Sequence, residues 1–115
     1  MCIRDSHHRS NDSWASKNFI DPDAPATAII IYELLTELGL KEVGVEISNL
    51  LFAGLVDDTG SFRFSNTTPR AFNIAGKLLE NGAEPERISN LLYYSQSADR
   101  LKLQAKAIDL SLIHI

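Results

Sequence analysis

The sequence predicts an α/β fold, of which these 115 residues supply the mostly helical part. Three observations carry that expectation. Five stretches repeat apolar residues at helical spacing. Two of them, 26–38 and 43–56, are apolar on more than one side, as helices packed against a parallel sheet are. Only residues 15–20 and the alternation around Phe62 and Phe64 read as extended, and weakly. The local pattern alone would pass for an all-α domain. The doubly apolar helices need a covering surface, and a parallel sheet, largely missing from these residues, would supply it.

Composition sets the outer bounds. The chain is 44% hydrophobic and 23% charged, an ordinary globular balance for one domain or part of one. A net charge of −4 gives no long-range attraction to nucleic acid and leaves room for a local basic pocket. A single cysteine excludes a disulfide framework. No apolar run is long enough to span a bilayer, and Met1-Cys2-Ile3-Arg4 leads into polar sequence rather than a signal peptide. A cytoplasmic protein with no membrane partner is expected.

The two ends read as foreign. Residues 1–6 are MCIRDS, and 110–115 are LSLIHI. Back-translating the first as ATG TGT ATA AGA GAC AG gives the reverse complement CTG TCT CTT ATA CAC AT. That strand encodes LSLIH and opens an isoleucine codon, so one short DNA accounts for both termini. It resembles the transposon adaptor used in sequencing-library preparation. The expectation is a native segment of 7–109, cut from a longer protein and flanked by adaptor-derived residues 1–6 and 110–115. Met1, Cys2 and His114 then carry no function.

In chain order, His7-His8-Arg9-Ser10-Asn11-Asp12 is a polar loop. Ala15 to Ile20 is at most a weak strand, and Asp21-Pro-Asp-Ala-Pro25 is turn chemistry. A helix from Ala26 to Leu38 carries Ala28, Ile31, Leu34, Leu35 and Leu38 on one face and stops at Gly39. The most apolar helix runs from Val43 to Val56. Ile47, Leu50, Leu51, Gly54 and Leu55 share a face, with Phe52, Ala53 and Val56 beside it. Gly54 inside it costs about 1 kcal/mol against alanine, which suggests a close backbone approach.

Asp57 and Asp58 follow, at the helix C-terminus, where the macrodipole disfavours acids. Two carboxylates there call for a cation, either a bound metal or a basic side chain such as Arg63. Phe62 and Phe64 alternate with Arg63 and Ser65 as a short strand or extended loop. Thr67 or Thr68 caps a helix opened by Pro69 and running to Glu80, with Ala71, Ala75, Leu78 and Leu79 inward and Gly82 beyond it. Pro85 opens a helix to Tyr94, with Ile88, Leu91 and Leu92 inward, Tyr93 in the core and Tyr94 on the surface. Ser97 caps the last helix, striped by Leu101, Ala105 and Ile108.

Two polar clusters stand out against this frame. His7-His8 and Asp57-Asp58 are each weak signals, since most such pairs are solvated surface. Brought together they offer nitrogen and oxygen donors that suit manganese, iron or zinc better than calcium. The loop from Ser65 to Thr68 caps a helix, and the same helix N-terminus can contact a phosphate; both uses can hold at once. Trp14 is uninformative.

His7-His8-x-x-Asn11 resembles the Asp-His-His-x-x-Asn motif of the DHH phosphoesterase family, with Ser6 standing where the family has aspartate. An adaptor that replaced all but the last base of an aspartate codon would leave serine there. Asp21-Pro-Asp-Ala-Pro-Ala-Thr27 and Gly54-x-x-x-Asp58-Thr-Gly-Ser-Phe-Arg-Phe-x-Asn-Thr-Thr-Pro69 resemble the family's oligoribonuclease and 3′-phosphoadenosine-5′-phosphate (pAp) phosphatase branch. The resemblance implies His7 and Asp58 as metal ligands, with Asp57 only a neighbour, and His8 as the catalytic histidine facing the scissile phosphate. Arg63, Asn66 and Thr67 are the candidate substrate contacts.

It further implies two manganese ions and hydrolysis of short oligoribonucleotides or pAp. The parent would carry two more aspartate motifs upstream and a substrate-gripping DHHA1 domain downstream, neither present here; a homodimeric parent is compatible with it. The residues alone are then expected to be inactive. Another family hydrolase, acting on cyclic dinucleotides or pyrophosphate, and a non-catalytic helical interaction domain are the alternatives. The last of these requires His7 and Asp58 to lie far apart.

Overall fold

A computed structural model of the chain describes residues 3–8, 15–40 and 42–113. Asn11, Asp12 and Trp14 lie outside the described residues, as do Met1, Cys2 and His114. The order is β1 (Ile3–Ser6), β2 (Lys17–Ile20), α1 (Thr27–Glu37), α2 (Val45–Asp58), α3 (Pro69–Glu80), α4 (Pro85–Ser89), a π-helical turn (Asn90–Tyr94) and α5 (Ala98–Ile113). Two units separate, 1–85 and 86–115.

In the first unit β1 and β2 pair in parallel, with Ile3 opposite Lys17 and Ser6 opposite Ile20. Residues 3–6, set aside above as adaptor-like, thus form a strand. Ladder hydrogen bonds join backbone groups, so a segment needs no particular side chains to fill that place. α1 packs on β1, on α2 and on α3, and α2 packs on α3. Ile29, Leu55 and Leu78, one from each helix, are fully buried at the centre. The adjoining buried residues are Ala28, Ile30 and Tyr32 of α1, Leu51, Phe52 and Val56 of α2, and Ala71, Ile74 and Ala75 of α3.

The inward faces are rotated from those read off the sequence. Leu38, Ile47, Leu50 and Leu79, expected inside, are exposed, while Ile74 is buried; Ile29 and Ile30, which widen the apolar face of the first helix, are buried as its two-sided pattern implies. A helix apolar all round does not announce which arc its neighbours will cover. Gly54 also differs from expectation. A Cβ built there would meet the Ala28 methyl at 3.4 Å, ordinary van der Waals contact with a side chain rather than with a backbone.

The segment after α2 is a turn, where an extended stretch was expected. Gly60, Ser61 and Phe62 have φ of 55°, 59° and 61° in succession. Such left-handed geometry costs a non-glycine residue about 1–2 kcal/mol. Thr59, fully buried, holds the turn together. Its hydroxyl donates to the Leu55 carbonyl at 2.7 Å and accepts from the Phe62 N–H at 3.1 Å. Its carbonyl accepts from both the Arg63 and Phe64 N–H groups at 3.0 Å. The alternation of Phe62 and Phe64 with polar residues imitated a strand. In the turn, Phe62 instead stacks on Phe72 at 5.1 Å between centroids.

In the second unit the helix expected to run unbroken to Tyr94 widens into a π turn at Asn90. Ile88 is buried, whereas Leu91, Leu92 and Tyr93, all expected inside, are exposed together with Tyr94. The Ser97 hydroxyl accepts from the Arg100 N–H at 3.3 Å and so caps α5. The α5 stripe residues Leu101 and Ile108 are exposed. No helix among the described residues is long and apolar enough to cross a membrane.

Candidate metal and phosphate site

β1 ends at Ser6, so His7 and His8 leave the carboxyl end of a parallel strand, where open α/β sheets gather ligands. α2 ends at Asp58, which puts its last carboxylate at the same place. His7 Nε2 lies 3.7 Å from Asp58 Oδ2, although 51 positions separate the two residues in the chain. The other ring nitrogen, Nδ1, is 3.3 Å from the Ala24 carbonyl oxygen. A carbonyl can only accept, so Nδ1 is the donor at this contact and Nε2 is the nitrogen turned toward the carboxylate.

That is the arrangement of a metal-ligating histidine, whose remote N–H is commonly anchored by a carbonyl or carboxylate. Imidazole and carboxylate donors bind at about 2.0–2.2 Å, so two of them on one cation stand roughly 3 Å apart at a right angle and roughly 4 Å apart when opposed. The observed separation falls inside that range. His7 is largely buried and Asp58 more open, with 16% and 39% of their side chains exposed, so the pair can be reached from one side. His8 is exposed and stands edge-on to His7 with ring centroids 4.5 Å apart. Among the described residues no group of three or more His, Cys, Asp or Glu side chains gathers to hold a metal.

The polar loop after the turn divides into different uses. The Arg63 Nε–H donates to the Gly60 carbonyl at 2.7 Å, which fixes the guanidinium on the turn while the residue stays exposed. Asn66 donates from Nδ2 to the Pro25 carbonyl at 2.9 Å and to the Asp58 carbonyl at 3.0 Å. Thr68 occupies the N-cap of α3 but makes no side-chain capping bond. The Asn66 Oδ1, Thr67 Oγ1 and Thr68 Oγ1 atoms are buried with no hydrogen-bond partner among the described residues. Each such atom ordinarily costs about 1–3 kcal/mol. The two threonine hydroxyls, at one helix N-terminus and close in sequence to Asp58, can donate to an oxyanion, whereas the Asn66 Oδ1 only accepts and calls for a donor.

One residue that sequence reasoning passed over organises the site from behind. Arg70, in the first turn of α3, grips both carboxylate oxygens of Glu33 on α1 and donates to Asp21 Oδ2 at 2.7 Å. These bonds push the guanidinium pKa further up and hold the Asp21 carboxyl below its usual range. Asp21 in turn shapes the segment that reaches His7. Its N–H donates to the Ser6 carbonyl, its carbonyl accepts from Ala24, and its Oδ1 accepts from the Asp23 N–H, all at 3.0–3.1 Å. The missed signal was electrostatic. A cation in the first turn of a helix opposes the macrodipole as two acids at a C-terminus do, and so calls for partners.

Other proteins are similar to this chain in sequence over most of its length. The chain is 34% identical over 92 residues to the bifunctional oligoribonuclease and PAP phosphatase NrnA of Thermus thermophilus, across 80% of its own length and 28% of that protein. It is also 34% identical over 91 residues to the NrnA of Bacillus subtilis, across 76% of its length and again 28% of the relative. The chain is a homologue of the NrnA proteins of the DHH family. It spans a little over a quarter of the length of the NrnA relatives it matches. Its fold is also that of an exopolyphosphatase-related protein from Bacteroides fragilis, with a TM-score of 0.83 at 21% identity, over 93% of this chain and 32% of that one. No protein-family model matches.

Proposed function

We propose that the protein to which this NrnA-like chain belongs is a manganese-dependent phosphoester hydrolase acting on short oligoribonucleotides and on pAp. The single observation that carries the proposal is the His7–Asp58 pair, 3.7 Å apart with the far side of the imidazole tied to Ala24. The names of the NrnA relatives supply the substrate class. In this reading His7 Nε2 and Asp58 are metal ligands. Further ligands come from the family's upstream aspartate motifs, and the DHHA1 domain grips the substrate. The larger parallel sheet that would cover the apolar helices belongs to the same missing parts.

Manganese, when bound, would polarise the phosphoryl group and supply a nucleophile at neutral pH. This chain's own residues would do the rest. The Nδ1–H bond to Ala24 keeps the His7 ring from turning. His8, exposed beside it, faces the scissile phosphate and donates to its oxygens. Arg63, held at Nε by Gly60, offers its terminal N–H groups to phosphate as a charge-assisted donor. Thr67 Oγ1, buried and unpartnered, gains an acceptor when a phosphate arrives.

The test is to restore the missing N- and C-terminal parts and assay short oligoribonucleotides, pAp, cyclic dinucleotides and pyrophosphate side by side with manganese. Cleavage of the first two, abolished by Asp58→Asn, is the expected result. A folded full-length protein that cleaves neither, or prefers a cyclic dinucleotide or pyrophosphate, overturns the reading. The 115 residues alone are expected to be inactive, since the described residues bring only His7 and Asp58 together as metal donors.

A further inference from the structure

We infer that Asn66 is a positioning residue that clamps the two halves of the His7–Asp58 pair together, a role that rests on the metal-site reading of that pair. A side-chain amide has two N–H donors on one nitrogen, and here that nitrogen reaches two backbone carbonyls. One belongs to Pro25, at 2.9 Å, and the other to Asp58, at 3.0 Å.

Each carbonyl belongs to a segment that supports one of the two functional side chains. Pro25 follows Ala24, whose carbonyl anchors His7 Nδ1, and Pro25 is itself fully buried. Asp58 carries the carboxylate opposite His7 Nε2. Its carbonyl lies in the last turn of α2, where the helix itself offers no partner. One side chain therefore bridges the end of α2 to the 21–25 turn, across 41 positions of sequence on one side and 8 on the other. Aspartate has the same shape as asparagine but no donor. Asn66→Asp would leave both carbonyls without the bridge and set a charge against them.

Replacing a group that orients a metal ligand from behind costs about 10- to 100-fold in metal affinity. The experiment uses the whole chain, with isotope-labelled histidine and asparagine side chains, studied by nuclear magnetic resonance. In the wild type the Asn66 Nδ2 protons should exchange with solvent far more slowly than those of Asn73, which is exposed. His7 should hold its Nδ1–H tautomer, and added manganese should broaden His7 at lower concentration than His8.

In Asn66→Asp, and in the uncharged control Asn66→Ala, the His7 tautomer should shift toward Nε2–H. The manganese concentration that half-broadens His7 should rise about tenfold or more. The far-ultraviolet circular dichroism of the chain should be unchanged. Asn66 protons that exchange as fast as those of Asn73, or a folded Asn66→Asp that keeps the wild-type tautomer, overturns the clamp. The metal reading fails separately, if Asp58→Asn leaves manganese-dependent cleavage by the restored full-length protein intact, so the two failures are told apart.

Discussion

Replacing Thr59 by valine keeps the shape of a fully buried side chain and deletes only its hydroxyl. The consequence can be worked bond by bond. The hydroxyl donates to the Leu55 carbonyl at 2.7 Å, but that carbonyl also accepts the Thr59 N–H at 3.1 Å, so it stays satisfied in the variant. The Phe62 N–H, which donates to the hydroxyl at 3.1 Å, loses its partner in a half-buried position. The net loss of a hydrogen bond is about 1 kcal/mol, and the stranded donor adds about 1–2 kcal/mol more, for a total of about 2–3 kcal/mol.

Thr59→Ser makes the converse change. It keeps the hydroxyl and removes one methyl group, worth about 1 kcal/mol. Urea unfolding of the three proteins, with the slope of the transition held in common, reads the difference directly. The valine variant should lose at least twice what the serine variant loses. Valine within about 0.5 kcal/mol of wild type, or serine the worse of the two, would refute the claim that this hydroxyl holds the left-handed turn. The turn matters beyond stability because Arg63 and Asn66 are carried on the segment it launches.

Gly60→Ala should destabilise by about 1–2 kcal/mol by the same measurement, because a left-handed alanine is strained and its Cβ would run into the Phe64 ring. Gly54→Ala should instead be neutral or stabilising by up to about 1 kcal/mol, since the added methyl just touches Ala28 and helix propensity improves. Asp21, held below its ordinary pKa by Arg70, contributes stability that is present above the unfolded value of about 3.9 and is lost as pH falls through the lowered folded value. Melting temperature should therefore drop on acidification below about pH 4, and the drop should be smaller in Asp21→Asn, which has no carboxyl to protonate there.

Much of the local architecture was legible because it is written in short-range chemistry. Pro69 in the first turn of α3, Ser97 capping α5, and the glycines beyond α1 and α3 each act within a few residues of themselves. The faces of α1 and α2 were legible only in part: Ala28, Leu51 and Leu55 are buried as expected, while Leu38, Ile47 and Leu50 are exposed. A helix apolar on most of its surface is compatible with several rotations, and only the neighbours choose. The turn at Ser61 and Phe62 was misread for a related reason. Alternating aromatics signal a strand, while the feature that bends the chain is a buried hydroxyl on Thr59, which looks like any other threonine in a sequence.

The sequence by itself determined the inventory of the site: two histidines after a polar break, two carboxylates at a helix end, and an Asn-Thr-Thr loop before a helix-opening proline. It also carried the family resemblance. Tertiary structure decided which of these groups meet. The helix end alone did not choose between Asp57 and Asp58, and only the family resemblance singled out Asp58; successive residues on a helix point about 100° apart, and Asp58 is the one that faces His7. Asn66 could have been one more loop amide, and Arg70 one more surface cation. Their carbonyl and carboxylate partners lie as far as 49 positions away, and no local pattern encodes a hydrogen bond over that distance.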